Sequence, residues 1–146
     1  LFLKKEYNYI IWSDNKFNVN YKDTIRIINK WPKDKAMLLH EHPIKRVCNI
    51  HDEVNLCMKH TQNRIQRNRI LKYVEMMVND GYNKFDTIHF QTGCLLYNLK
   101  HSNVFDIQNT WMKNIIKCGT PDQISFNLIR QKFDTIGEYK YPIAII

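Results

Sequence analysis

The sequence predicts an α/β domain, a mixed sheet flanked by helices. Two observations carry that expectation. Short β-branched and aromatic runs alternate with longer stretches of helical spacing. The chain also has the size and content of one compact domain. It has 146 residues, 44% of them hydrophobic, and only four Gly and four Pro. A chain of this length buries roughly 68–70% of its unfolded surface and needs no staples. Disorder and low complexity are excluded by the same content. A single domain over residues 1–146 is expected.

Each element has its own signal. Residues 7–12 are Tyr-Asn-Tyr-Ile-Ile-Trp, and the turn formers Ser13-Asp14-Asn15-Lys16 follow; this predicts a buried strand. Residues 17–19 resume extended structure. Residues 22–31 set Ile25, Ile28 and Trp31 at helical spacing with Ile27 beside them, and Pro32 ends the helix. Residues 36–40 form a short apolar strand closed by Pro43. Residues 52–59 suit a helix. Residues 61–80 form the clearest helix, with Ile70, Tyr73, Val74 and Met77 on one stripe and Gly81 as its stop.

Residues 87–90 and 93–97 are predicted as two strands joined by Gln91-Thr92. Residues 104–117 form a helix carrying Phe105, Ile107, Trp111 and Ile115, ended by Gly119. The last helix starts at Thr120-Pro121-Asp122-Gln123. Thr120 is the expected cap, Pro121 suits the first helical position, and Gln123 lies three residues past the cap. The helix runs to about residue 133, with Ile124, Phe126, Leu128 and Ile129 on its buried side. Residues 139–146 suit a closing strand.

The formal net charge is +8, from 22 Lys and Arg against 14 Asp and Glu. That balance favours an anionic partner, whether nucleic acid, a nucleotide diphosphate or an acidic surface. Basic residues gather from Lys45 to Lys72, a pattern that also fits a solvated face. The cysteines Cys48, Cys57, Cys94 and Cys118 form no C-x-x-C pair. Reduced, mostly buried thiols are expected rather than a zinc site or a disulfide scaffold. The apolar stretches are too short to span a membrane, and no signal-peptide pattern opens the chain. A soluble, cytoplasmic location is expected, or a place within a larger viral, bacterial or Golgi-type protein.

Chemistry concentrates at three places. Asp14 directly follows the first strand, where open α/β sheets bind ligands. A carboxylate there can hold a divalent metal against a diphosphate, and Lys16 can neutralise phosphate. The same residues also make a plain polar turn. His40 and His42 alternate on one strand face and suit metal or phosphate contact, or an exposed edge. Arg46 and Glu53 follow, either as a structural pair or as substrate contacts. Asp122 lies in the first turn of the last helix, where the dipole favours negative charge whatever its role. Walker, G-x-G-x-x-G, G-x-S-x-G and H-E-x-x-H patterns are absent.

Taken in order, these segments resemble a GT-A-type glycosyltransferase-like family of plants and bacteria. That family was formerly a domain of unknown function and is linked to cell-wall and mucilage glycosylation. The resemblance runs from about Tyr7 to Phe126. It rests on Trp12, Asp14, Lys16 and Phe17; then His42, Pro43, Arg46, Cys48 and Glu53; then Gly81, Thr92, Gly93 and Trp111. Its most specific block is Asp122, Gln123, Ser125 and Phe126. Pro121 departs from the family, which usually has Arg there.

The resemblance implies a GT-A-like, Rossmann-like fold, here as a C-terminal part without the N-terminal nucleotide-binding strands. It implies an enzyme moving sugar from a nucleotide-diphospho sugar donor to the hydroxyl of a glycan acceptor. Asp14 would hold manganese or magnesium against the diphosphate, and Asp122 would be the general base. Lys16, His42, Arg46, Thr92, Gly93, Trp111 and Gln123 would bind substrate. Two alternatives remain: a non-catalytic basic nucleic-acid-binding module, or an inactive scaffold of the same fold. No nucleic-acid motif accompanies the charge, so the first of these ranks lower.

Overall fold

The computed structural model describes residues 6–15, 17–42, 49–82, 89–140 and 144–145. Lys16, Pro43, Arg46 and Cys48, singled out above, lie outside the described residues. In chain order the elements are β1 (Tyr9–Ser13), β2 (Asn18–Val19), α1 (Tyr21–Asn29), β3 (Met37–Glu41), α2 (Ile50–Cys57), α3 (Thr61–Ile65) and α4 (Arg67–Asn79). Then come β4 (Phe90–Asn98), α5 (Val104–Cys118), α6 (Asp122–Ile129), a 3-10 turn (Arg130–Lys132), β5 (Ile136–Glu138) and β6 (Ala144–Ile145). The expected α/β class is therefore present, as a mixed sheet in the order β1-β4-β3-β5. β4 runs antiparallel to both β1 and β3, and β5 runs parallel to β3. β2 and β6 form a separate antiparallel ribbon.

The sheet is covered on both faces, which explains the unbroken apolar run Cys94-Leu95-Leu96-Tyr97. Successive side chains on β4 point to opposite faces. Leu95 and Tyr97 join Met37 and Leu39 in the main core, under side chains from α2, α4, α5 and α6. Leu96 and Cys94 join Leu38, Tyr139 and Ile27 of α1 on the other face. Phe126 is fully buried in the main core, against the edge of Trp111 at 4.9 Å between ring centroids.

Several expectations are corrected. β1 is an edge strand, so it is half-buried and leaves Trp12 44% exposed. In α1 the sheet takes Thr24 and Ile27, while Ile25 is 58% exposed, so the buried stripe lies one phase away from the expected one. The Asn20 side chain, accepting from the Lys22 and Asp23 N–H groups, sets the start of that helix. The long helix expected over residues 61–80 breaks at Gln66 into α3 and α4. Gln66 there donates to the Thr120 hydroxyl at 2.5 Å and accepts from the Thr120 N–H at 3.3 Å. Gly81 does end α4, at a φ of 91° that suits glycine.

The two strands expected around Gln91-Thr92 are one strand, β4, because the irregularity is a bulge rather than a turn. Leu39 faces Leu95, but the next residue, His40, faces Gln91. Thr92, Gly93 and Cys94 thus have no register partner on β3. Of the closing strand expected at 139–146, the described residues show β6 at Ala144–Ile145, while β5 (Ile136–Glu138) lies ahead of that range.

α6 starts at Asp122, with Pro121 in the cap position and no side-chain cap. Thr120 is not the cap, because its hydroxyl is engaged with Gln66. What anchors α6 is a pair of amides one turn apart. Asn127 accepts from the Phe90 N–H and donates to the Phe90 carbonyl, both at 2.8 Å. Gln123 accepts from the Thr92 N–H at 3.0 Å. These side chains satisfy β4 backbone groups that would otherwise be buried without partners. Arg130, 4.8 Å over the Phe90 ring, steadies Asn127 through a 3.3 Å bond.

Asn127→Ala leaves a buried donor and a buried acceptor on Phe90 unpaired, at about 1–3 kcal/mol each. Denaturant unfolding should lose about 2–4 kcal/mol against the unaltered chain. A loss under about 1 kcal/mol would contradict the anchoring role.

Candidate active site

A cleft of about 450 Å³ opens where β1, the bulged part of β4, α2 and the start of α6 meet. Asp14 and Phe17 line it from beyond β1, and Gln91, Thr92 and Gly93 from β4. Glu53 and Cys57 line it from α2, His42 from beyond β3, and Asp122 and Gln123 from α6. The volume is in the range of small-molecule sites.

Asp14 is held by its backbone. Its N–H donates to the Gly93 carbonyl at 2.9 Å, and its own carbonyl accepts from the Phe17 N–H at 3.0 Å. This turn folds Phe17 back over Gly93. A Cβ at Gly93 would overlap the Phe17 ring, so the close approach requires glycine there.

Asp122 is the first residue of α6, and its carbonyl accepts from the Trp111 indole at 3.1 Å and the Ser125 hydroxyl at 2.8 Å. Burial raises the pKa of its carboxyl, and the charge of Asp14 raises it further. Hydrogen bonds from the Gln123 N–H and the Thr92 side chain act in the opposite direction. The two carboxylates therefore share one cleft and sense each other.

Glu53 is 6% exposed. Burial acts to raise its pKa, yet the net direction is down. His89 Nε2 lies 3.2 Å from Glu53 Oε2, and His42 Nε2 lies 3.7 Å from it. Gln123 adds a hydrogen bond to Glu53. The His89 contact is close but not ideally aligned, and it favours the carboxylate both as a polar contact and through charge. Burial pushes the Cys57 thiol up to about 11 and the Cys118 thiol up to about 12. Both stay protonated at neutral pH and make poor nucleophiles.

Of the residues predicted from sequence, Asp14, His42, Thr92, Gly93, Asp122 and Gln123 line this cleft. Trp111 does not; it is 8% exposed and braces α6 from the core, because its ring packs on Phe126. Lys16 and Arg46 lie outside the described residues. His40 and His42 part company: His40 stacks near Tyr139 at 5.5 Å, whereas His42 turns to Glu53. Sequence reasoning missed His89 and Asn127. Asn127 lies four residues after Gln123, a same-face spacing that an amide pair could have disclosed.

Asp14 supplies one hard oxygen donor. Among the described residues no group of three or more His, Cys, Asp or Glu is placed to cage a metal ion. That donor set fits an ion of the magnesium type, which is bound through one or two carboxylates and completed by substrate phosphates.

A solved structure shares this fold. The apo crystal structure of mouse xyloside xylosyltransferase 1 matches with a TM-score of 0.51 at 12% identity, over 97% of this chain and 50% of that one. The chain thus spans half the length of that protein, and its fold is glycosyltransferase-like. No family model matches the chain, and no curated protein matches it in sequence. No helix among the described residues is long and apolar enough to cross a membrane.

The raised Asp122 pKa makes a prediction about stability. An acid whose folded pKa exceeds its unfolded value favours folding when protonated and opposes it when ionised. Its penalty is absent below the unfolded pKa and complete above the folded one. Asp122→Asn should therefore raise the melting temperature at pH 7, and the gain should vanish toward pH ~3.5, near the ordinary carboxylate range. Thermal melts across pH check this; a gain that persists unchanged in acid would contradict it.

Proposed function

We propose that this chain works as a glycosyltransferase-like domain that moves a sugar from a nucleotide-diphospho sugar to an acceptor hydroxyl, that of a glycan or a protein-linked glycan. The observation that carries this reading is the placement of Asp14 and Asp122 along one cleft in a glycosyltransferase-like fold. Asp14 would hold manganese or magnesium beside the diphosphate. When bound, such an ion neutralises charge that develops on the leaving group.

Asp122 would accept the proton of the acceptor hydroxyl. Its raised pKa brings it nearer the working pH, which suits a general base. The Thr92 hydrogen bond and the Gln123 N–H hold its carboxylate in one orientation. Direct displacement by a hydroxyl activated in this way would invert the anomeric centre. The close packing of Gly93 under Phe17 keeps the β4 backbone at the cleft surface. His42 and Gln123 would contact substrate from opposite elements.

Manganese with the correct nucleotide sugar should raise the melting temperature, since a ligand at 100 times its Kd stabilises the native state by about 2.7 kcal/mol. Asp122→Asn should lower kcat by about 10²–10⁴-fold, the usual range for loss of a general base. Asp14→Asn should weaken donor binding and reduce its dependence on manganese. No thermal shift with any common nucleotide sugar, or full transfer by Asp122→Asn, would overturn the reading. Binding of DNA or RNA that falls steeply with salt would instead favour the basic-module alternative.

A further inference from the structure

One group at the cleft has no part in the scheme above: the buried carboxylate of Glu53, with His89 behind it. Glu53 is 6% exposed and His89 5%. Holding a charge at that depth is costly unless it is matched by partners. The partners trace a continuous path. His89 Nε2 sits 3.2 Å from Glu53 Oε2, and His42 Nε2 sits 3.7 Å away. The Gln123 side chain donates to Glu53. Its carbonyl oxygen then accepts from the Thr92 N–H at 3.0 Å. The Thr92 side chain hydrogen-bonds the Asp122 carboxylate.

We propose that Glu53 is a positioning residue for this cleft, fixing Asp122 through Gln123 and Thr92. Two features make the path effective. The Gln123 amide has one donor group and one acceptor oxygen, and anchoring the donor on Glu53 fixes which way the oxygen points. Thr92 lies in the part of β4 that has no register partner on β3, so the Gln123 oxygen takes up a backbone N–H on the side that β3 leaves open. His89 keeps the Glu53 carboxylate charged and in place. Loss of the charge would free the amide to turn, and Thr92 would lose its partner.

The histidine contacts with Glu53 and the Thr92–Gln123 bond stand on geometry; the consequence for rate rests on the sugar-transfer reading. The test uses the full-length chain and Glu53→Gln, which preserves side-chain shape. Amide hydrogen exchange at Thr92 should become about tenfold faster or more, while exchange at Leu96, deep in β4, stays unchanged. With a nucleotide sugar and manganese, kcat should fall about tenfold or more with little change in KM, as expected when an interaction is lost from the transition state alone. In a Thr92→Val background the same substitution should change kcat less than about twofold, because both act along one path.

Unchanged exchange at Thr92 in Glu53→Gln would overturn the proposal, as would full additivity of the two substitutions. Faster exchange in a chain that turns over no nucleotide sugar would support the network and count against sugar transfer instead. Should Glu53→Gln fail to fold, His89→Gln leaves the carboxylate in place and carries the same two readouts.

Discussion

The structure depends on how α6 is fastened to β4. A helix lying beside a strand has no backbone groups to offer it. Here two side-chain amides, Gln123 and Asn127, do what a neighbouring strand would do: they take up the backbone of Thr92 and Phe90. Their four-residue spacing puts both on one helix face. The fastening matters because β4 is irregular at this point, between two registers with β3. It also sets the first turn of α6, and hence Asp122, over the cleft. The apolar residues behind it, Ile124, Phe126, Leu128 and Ile129, bury the opposite side of the helix in the main core.

The cleft separates two acids by environment. Glu53 is deeper, yet its two histidines and the Gln123 amide outweigh its burial. Asp122 is less matched, and burial together with Asp14 holds its proton more tightly. One carboxylate is thus a stable anion and the other is ready to exchange a proton. Such divergence is how enzyme sites assign roles to like groups. It has a cost in stability at neutral pH, which is the common pattern where a site is shaped for chemistry.

Much of this was legible in the sequence, but unevenly. The strand ahead of Asp14, the helix stops at Gly81 and Gly119, and the helix start near Asp122 were marked by local chemistry that tertiary contacts did not override. The phase of α1 was not, because three isoleucines within four residues fit two helix faces and only the sheet decides between them. The break at Gln66 arises from contacts with Thr120, 54 residues away, which no local pattern reveals. Only the resemblance assigns Trp111 to substrate; its indole instead ties α5 to α6, in keeping with its place among the apolar residues of that helix. His89 was invisible, since a lone histidine before a strand acquires meaning only when Glu53 is packed against it.

The most direct test of the central claim is a carbon NMR titration of Asp122 in the unaltered chain and in Asp14→Asn. If the two carboxylates share the cleft, removing the charge at position 14 will let Asp122 ionise at lower pH. An Asp122 titration that does not move would mean that the acids act apart, and the two-carboxylate site would be wrong.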